Sequence, residues 1–296
     1  MVSGGMTIVL AAVAVLSGDL DKQRAFDWQR TDEVRPGVKL VKFELEQPRL
    51  MKASCLRCDL KGHRFGFAAT RRSKDYGRKF SAENRKCTEH TQRLSTRDWI
   101  RDNPEIVVAV NASPWCGGVN LGERGKMPAE INGFSMTYGE LLSEFTIWTN
   151  VNFVIRRDGT PDIVCAGKKA LPAARRKDIL HAFMSYGVVL KDGVIHGNRQ
   201  SLAPRTAYGY SKDRRYLYLL VVDGRQQHYS EGANCEDLGK MLRLLGASDG
   251  VNMDGGGSSA LLCRDPKTGD PVQYNQHDPF GFYARPVALN FGLVEK

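Results

Sequence analysis

Apolar and polar residues alternate over Val38–Leu45 (VKLVKFEL), the two-residue period of a strand with one buried face, and residues 56–60 read as a second strand. Residues 106–110 are wholly apolar between Pro104 and Asn111, as in a strand buried on both faces, and run into a polar loop at 111–115. Two further apolar runs, 151–155 and 188–190, lead to Asp-Gly at 158–159 and 192–193, the strongest short-range hairpin signal. Residues 206–210 and 216–222 flank a charged turn, and the second run is nearly all apolar, which predicts a hairpin whose second strand is central in its sheet. Helical spacing occurs at Leu238, Met241, Leu242 and Leu245, with Asn234 as N-cap and Gly246 past the end. Residues 71–101 are rich in charge and predict a solvated loop, then a short helix capped by Ser95 or Thr96. A last strand covers 287–294. Strands outnumber helices and hairpins join many of them, so the predicted class is α+β: a mixed, largely antiparallel sheet with flanking helices in a single domain, with no internal repeat.

The 296 residues, 42% of them hydrophobic, suffice for a full core. Lysine and arginine (43) outnumber aspartate and glutamate (33), giving a formal charge of +10, a field that favours anionic partners. The basic residues spread from Lys22 to Arg285 without a zinc-finger, basic-zipper or RNA-recognition signature, so nucleic acid is not the expected partner. The longest apolar stretch, residues 7–16, is shorter than the roughly 18 residues that span a bilayer, and no stable membrane span is expected. Followed by Ser17 and Gly18, it fits a signal-peptide core, although no Lys or Arg precedes it; a buried first strand is the alternative. Residues 1–36 are therefore read as an N-terminal segment with signal peptide and linker and 37–296 as the folded domain. The expected location is secreted, periplasmic or cell-envelope.

The most informative segment is Asp254-Gly255-Gly256-Gly257-Ser258-Ser259. Three glycines after a carboxylate free the backbone for positive φ and let its N–H groups converge on a ligand oxygen; a tight bend without ligand contact is the plainer alternative. A P-loop is excluded because no lysine follows the glycines, and a nucleophile elbow because Ala260 stands where its last glycine belongs. A serine hydrolase using Ser258 with His228 or His277 is disfavoured for the same reason. Arg205 opens an apolar strand, where its donor fork suits a phosphate or carboxylate, while Asp223-Gly224-Arg225 taken alone reads as a hairpin turn. Cys55-x-x-Cys58 with Cys87-x-x-His90 imitates a zinc knuckle, but the intervening stretch is long and Cys58 falls in a strand; a disulfide or buried thiols are expected instead. The six histidines form no metal-spaced pair, so no metal is assigned and no cofactor is required; a divalent cation is not indicated.

Residues 204–209, 220–225, 230–232, 237–239, 244–247 and 251–259 follow one another in the order seen in the phosphodiester glycosidase family, which the chain resembles from about Leu40 to Val294. Asn111, after its apolar strand, and residues 285–290 resemble further parts of that family, with Ser113-Pro114-Trp115 in place of its usual small residue and aromatic. The resemblance implies hydrolysis of a sugar-1-phosphodiester, with a sugar-phosphate or glycan substrate. It further implies Asp254 as one catalytic or sugar-positioning carboxylate and Asp223 or Glu231 as the other, since glycosidases commonly need two. Arg205 and the amides of Gly255, Gly256 and Gly257 would hold the phosphate. Asn111, Thr206 and Ser258 would orient the sugar, with Asn252 also among the substrate-binding residues. A non-catalytic glycan-binding module of envelope or exopolysaccharide metabolism is the alternative.

Overall fold

The computed structural model describes residues 13–15, 20, 25–31, 33–46, 49–82, 85–116, 126–144, 151–165, 171, 173–199, 201–277 and 285–296. Most of the apolar stretch 7–16, with Ser17 and Gly18, lies outside them. Val13–Val15 form a short strand paired in parallel with residues 42–44.

A nine-stranded sheet occupies the centre. Six of its strands are β1 (Val38–Leu45), β2 (Met51–Asp59), β3 (Gly187–Lys191), β4 (Arg205–Tyr210), β5 (Tyr216–Val222) and β6 (Asp249–Asn252). They lie side by side in the order β1-β2-β5-β4-β6-β3, each pair antiparallel. The apolar run of β5 explains its central place: Leu217, Leu219 and Val221 enter one core, and Tyr218, Leu220 and Val222 enter the other. The first core is shared with two five-stranded antiparallel sheets, one containing Ile106–Asn111, Leu261–Arg264 and Asn290–Glu295, the other Val151–Arg156 and Ile179–Met184. There Tyr208 packs on Phe153 and Phe291 at centroid distances of 5.2 and 5.6 Å. The second core lies under the helix Cys235–Leu244, whose Leu238, Met241 and Leu242 are buried. Its N-cap is Asn234, in a reciprocal pair with Asp237.

Among the described residues, α-helix is confined to Thr96–Asp102, Ala173–Arg176 and Cys235–Leu244. The largely antiparallel sheet is as predicted, but the architecture is mostly β rather than the expected α+β with flanking helices. Antiparallel neighbours joined by hairpins need no crossover helix. The stretch 71–94, read as loop, holds a hairpin of Lys79–Ala82 with Arg85–Thr88, whose strands are too exposed to show an apolar period. The helix that follows is capped by Ser95, whose Oγ accepts from Asp98 N at 3.0 Å. The last strand begins at Asn290, because Val287 instead bridges to Leu94.

Candidate active site

Four strand termini meet at one end of the central sheet: Tyr186 precedes β3, Arg205 opens β4, Asp223 follows β5 and Asp254 lies two residues beyond β6. A cavity of about 540 Å³ opens there, bordered by Tyr186, Arg205, Arg225, Asn252, Asp254 and Arg285 among others.

The main chain of the glycine-rich segment is pinned along its length. Met253 N–H donates to Thr206 O at 2.8 Å, Asp254 N–H to Ala112 O at 3.1 Å and Gly256 N–H to Pro204 O at 2.8 Å. Asn111 Nδ2 donates to Asp254 O at 2.7 Å, while Asn111 Oδ1 accepts from Thr206 Oγ1 at 2.9 Å and from Ala260 N at 3.1 Å. Asn111 and Thr206 are wholly buried and border no part of the cavity. The resemblance implied that they orient a sugar; here their side chains bond to each other and to the loop and set the position of Asp254.

Burial pushes the Asp254 carboxyl up to about 6, against the opposing pull of the Ser258 hydroxyl, the Gly255 amide and the Arg285 guanidinium. Ser258 is buried, and its hydroxyl acts on Asp254. Gly255 N–H serves the Asp254 carboxyl and Gly256 N–H serves Pro204, so neither of these two amides is left for a phosphate. The glycines instead make room. A Cβ on Gly255 would sit 2.8 Å from Pro204 O, one on Gly256 3.2 Å from Arg225 Nη1 and one on Gly257 2.8 Å from Arg285 Nη2. Two guanidinium groups thus lie against bare backbone beside the carboxylate.

Arg205 borders the cavity, yet its Nε donates to Ala233 O at 3.1 Å and its Nη2 to Ser201 O at 2.8 Å, so it braces the rim. Arg225 and Arg285 border the cavity as well. Neither was named as an anion-binding residue from the sequence, because only the folded loop brings them against Gly256 and Gly257. Arg225 stands at φ +57, a strained conformation for a residue with a side chain. Tyr186, 45% exposed at the rim, is the other unforeseen residue; burial of its hydroxyl and the Asp254 charge push it up to about 12.

Asp223 and Glu231 are not joined to Asp254. Asp223 continues the alternation of β5 toward the first core, away from the cavity, where it accepts from Tyr229 OH at 3.1 Å and Gln276 N at 2.9 Å. Burial pushes its carboxyl up to about 7. Glu231 is exposed, and its main chain bonds to Leu50 and Arg225. Asn252, the last residue of β6, borders the cavity.

Cys55 and Cys58 point into opposite cores, so they cannot share a zinc ion. Cys87 Sγ lies 3.8 Å from Cys116 Sγ, both as buried thiols. No group of residues suited to a metal occurs among the described residues, and no helix there is long and apolar enough to cross a membrane.

Residues 105–294 match the phosphodiester glycosidase family, and the chain belongs to that family. Its fold is similar to that of the zebrafish N-acetylglucosamine-1-phosphodiester alpha-N-acetylglucosaminidase catalytic domain, solved in a form auto-inhibited by its pro-peptide. The TM-score is 0.63 at 15% identity, over 92% of this chain and 87% of that one. A Synechocystis protein (TM-score 0.57, 11% identity, 88% and 62% of the two chains) and a Burkholderia pseudomallei protein described as exported (0.54, 12%, 83% and 74%) are also similar. At these identities the likeness is one of fold. No curated protein matches the chain in sequence.

Proposed function

We propose that this chain hydrolyses the glycosidic bond of a sugar-1-phosphodiester, releasing the sugar and leaving the phosphate on the other partner, a phosphorylated glycan or cell-surface polymer. The observation that carries the reading is one carboxylate, Asp254, facing the cavity together with Arg225 and Arg285. An ordinary glycoside needs a second carboxyl group to protonate its leaving oxygen. A phosphate ester leaves as a weak base whose charge cations stabilise, so guanidinium groups replace that acid. Among the described residues at the cavity Asp254 is the single carboxylate, which suits such a leaving group.

In the reaction the C1–O bond breaks with its electron pair passing to the phosphate oxygen, and a water oxygen ends on C1. Asp254 either attacks C1 first or takes the proton of the attacking water. The anomeric configuration of the sugar first released distinguishes the two. The chemistry asks for no cofactor. Export to the envelope or medium, in line with the apolar stretch at 7–16, would bring the enzyme to such polymers.

The same lone carboxylate favours a second reading, a glycan-binding module without turnover. A screen of GlcNAc-, glucose- and galactose-1-phosphodiesters beside aryl glycosides, read by released sugar, separates them. Release from the phosphodiesters, reduced by several orders of magnitude in folded Asp254→Asn, is the expected result. Release from aryl glycosides alone overturns it, and retention of glycans without hydrolysis assigns the binding module.

A further inference from the structure

We propose that Asn252 reads the substituent on C2 of the bound sugar. This rests on the proposed function for its orientation of the sugar, with C1 at Asp254. Asn252 is 3% exposed and borders the cavity, and its Oδ1 is buried without a hydrogen-bond partner. A buried acceptor left unpaired is rare in folded proteins and carries a free-energy cost until something donates to it.

The sheet explains why no protein group reaches it. The residues directly opposite Asn252 on its two neighbouring strands are Gly187 and Ala207. Opposed residues share a face, so the amide stands between a hydrogen atom and a methyl group. A Cβ at Gly187 would meet nothing within 4 Å, so the space above it is open. The main chain of Asn252 is fixed independently, its carbonyl accepting from Tyr186 N at 2.8 Å. What remains is a side-chain amide held on rigid strand at the border of the cavity.

Two residues of chain span at most about 7 Å, so Asn252 and Asp254 can reach one sugar ring, and the proposal sets them at adjacent positions of it. C1 has two ring neighbours: the ring oxygen, which bears no donor, and C2, which does. A C2 hydroxyl both donates and accepts and so satisfies the amide whichever way it is turned. An acetamido N–H there also donates to Oδ1. The ligand class is therefore a sugar with a hydroxyl or acetamido group at C2, and a 2-deoxy sugar leaves the amide orphaned.

The test compares glucose 1-(phenyl phosphate) with its 2-deoxy counterpart in the full chain and in Asn252→Ala. The 2-deoxy sugar ionises more readily at C1, so the quantity read is the ratio of kcat/KM values, compared between the two proteins. Loss of Asn252 is expected to shrink the preference for the 2-hydroxy substrate by about tenfold to a hundredfold. Its melting temperature should stay level or rise, because truncation removes an unpaired buried polar atom. An unchanged ratio, or a variant that melts more than a few degrees lower, overturns the assignment. Calorimetric titration with glucose 1-phosphate and 2-deoxyglucose 1-phosphate tests the same residue without turnover. Tighter binding of the former, lost in Asn252→Ala, supports the assignment even if the phosphodiesters are not cleaved, an outcome that removes only the hydrolase reading.

Discussion

Asn111 donates its side-chain amide to the carbonyl of Asp254 at 2.7 Å, joining residues 143 positions apart in the chain. Asn111 holds the loop that carries Asp254 without bordering the cavity. Its replacement by Ala strips partners from Thr206 Oγ1, Ala260 N and Asp254 O at a fully buried position. The expected cost is about 2–4 kcal/mol of stability, with turnover reduced even at temperatures where the variant is folded. Thermal melting and kcat on one preparation check both.

The Asp254 carboxyl, raised to about 6, predicts opposite pH trends for rate and stability. The working form is the carboxylate, so kcat/KM of the free enzyme rises with pH through about 6 and then levels. Folding binds a proton between the unfolded value near 4 and the folded value, so this residue's contribution to stability is present below about 4 and lost by about 6. Asp254→Asn removes the rate and flattens that part of the stability curve. A pH–rate profile together with melting in the same buffers tests the pair.

Asp223 carries the larger rise, to about 7, away from the cavity. Its stabilising proton is retained below about 4 and lost progressively up to about 7, a change on the order of 4 kcal/mol. Asp223→Asn keeps one acceptor, for Gln276 N, and turns an NH2 toward the Tyr229 hydroxyl, which can accept from it; the variant should lose this slope while holding activity within about tenfold. A drop as steep as that of Asp254→Asn would place Asp223 in the chemistry after all.

Arg285 and Arg225 are expected to bear on the phosphate. Alanine at either should cost about 10²–10³ in kcat/KM on phosphodiesters, and Lys at Arg285 should rescue only part, since it lacks the planar fork. Gly257→Ala should reproduce much of the Arg285 defect, because its Cβ would come within 2.8 Å of the guanidinium. Steady-state kinetics on the four proteins would separate an arginine effect from a general loss of folding.

Much of the frame was legible from the chain alone. The alternation in Val38–Leu45, the apolar run of Tyr216–Val222 and the Asn234 cap each depend on neighbours a few residues away, and each appears where the pattern put it. The exposed hairpin at Lys79–Ala82 and Arg85–Thr88 did not, since without a buried face it leaves no period to read.

The site divided along the same line. Asp254 and its glycines stand out in sequence because a carboxylate before three bare backbone positions is a local oddity, and Asn252 lies beside them. Which partners they meet was decided by tertiary structure. The parity of β5 turned Asp223 away from the cavity, two backbone carbonyls claimed Arg205, and Arg225 and Arg285 came to rest on Gly256 and Gly257 from distant stretches of chain. Residue type and spacing determine what a segment can do chemically, while the choice of partner depends on contacts that exist only once the strands have paired and packed.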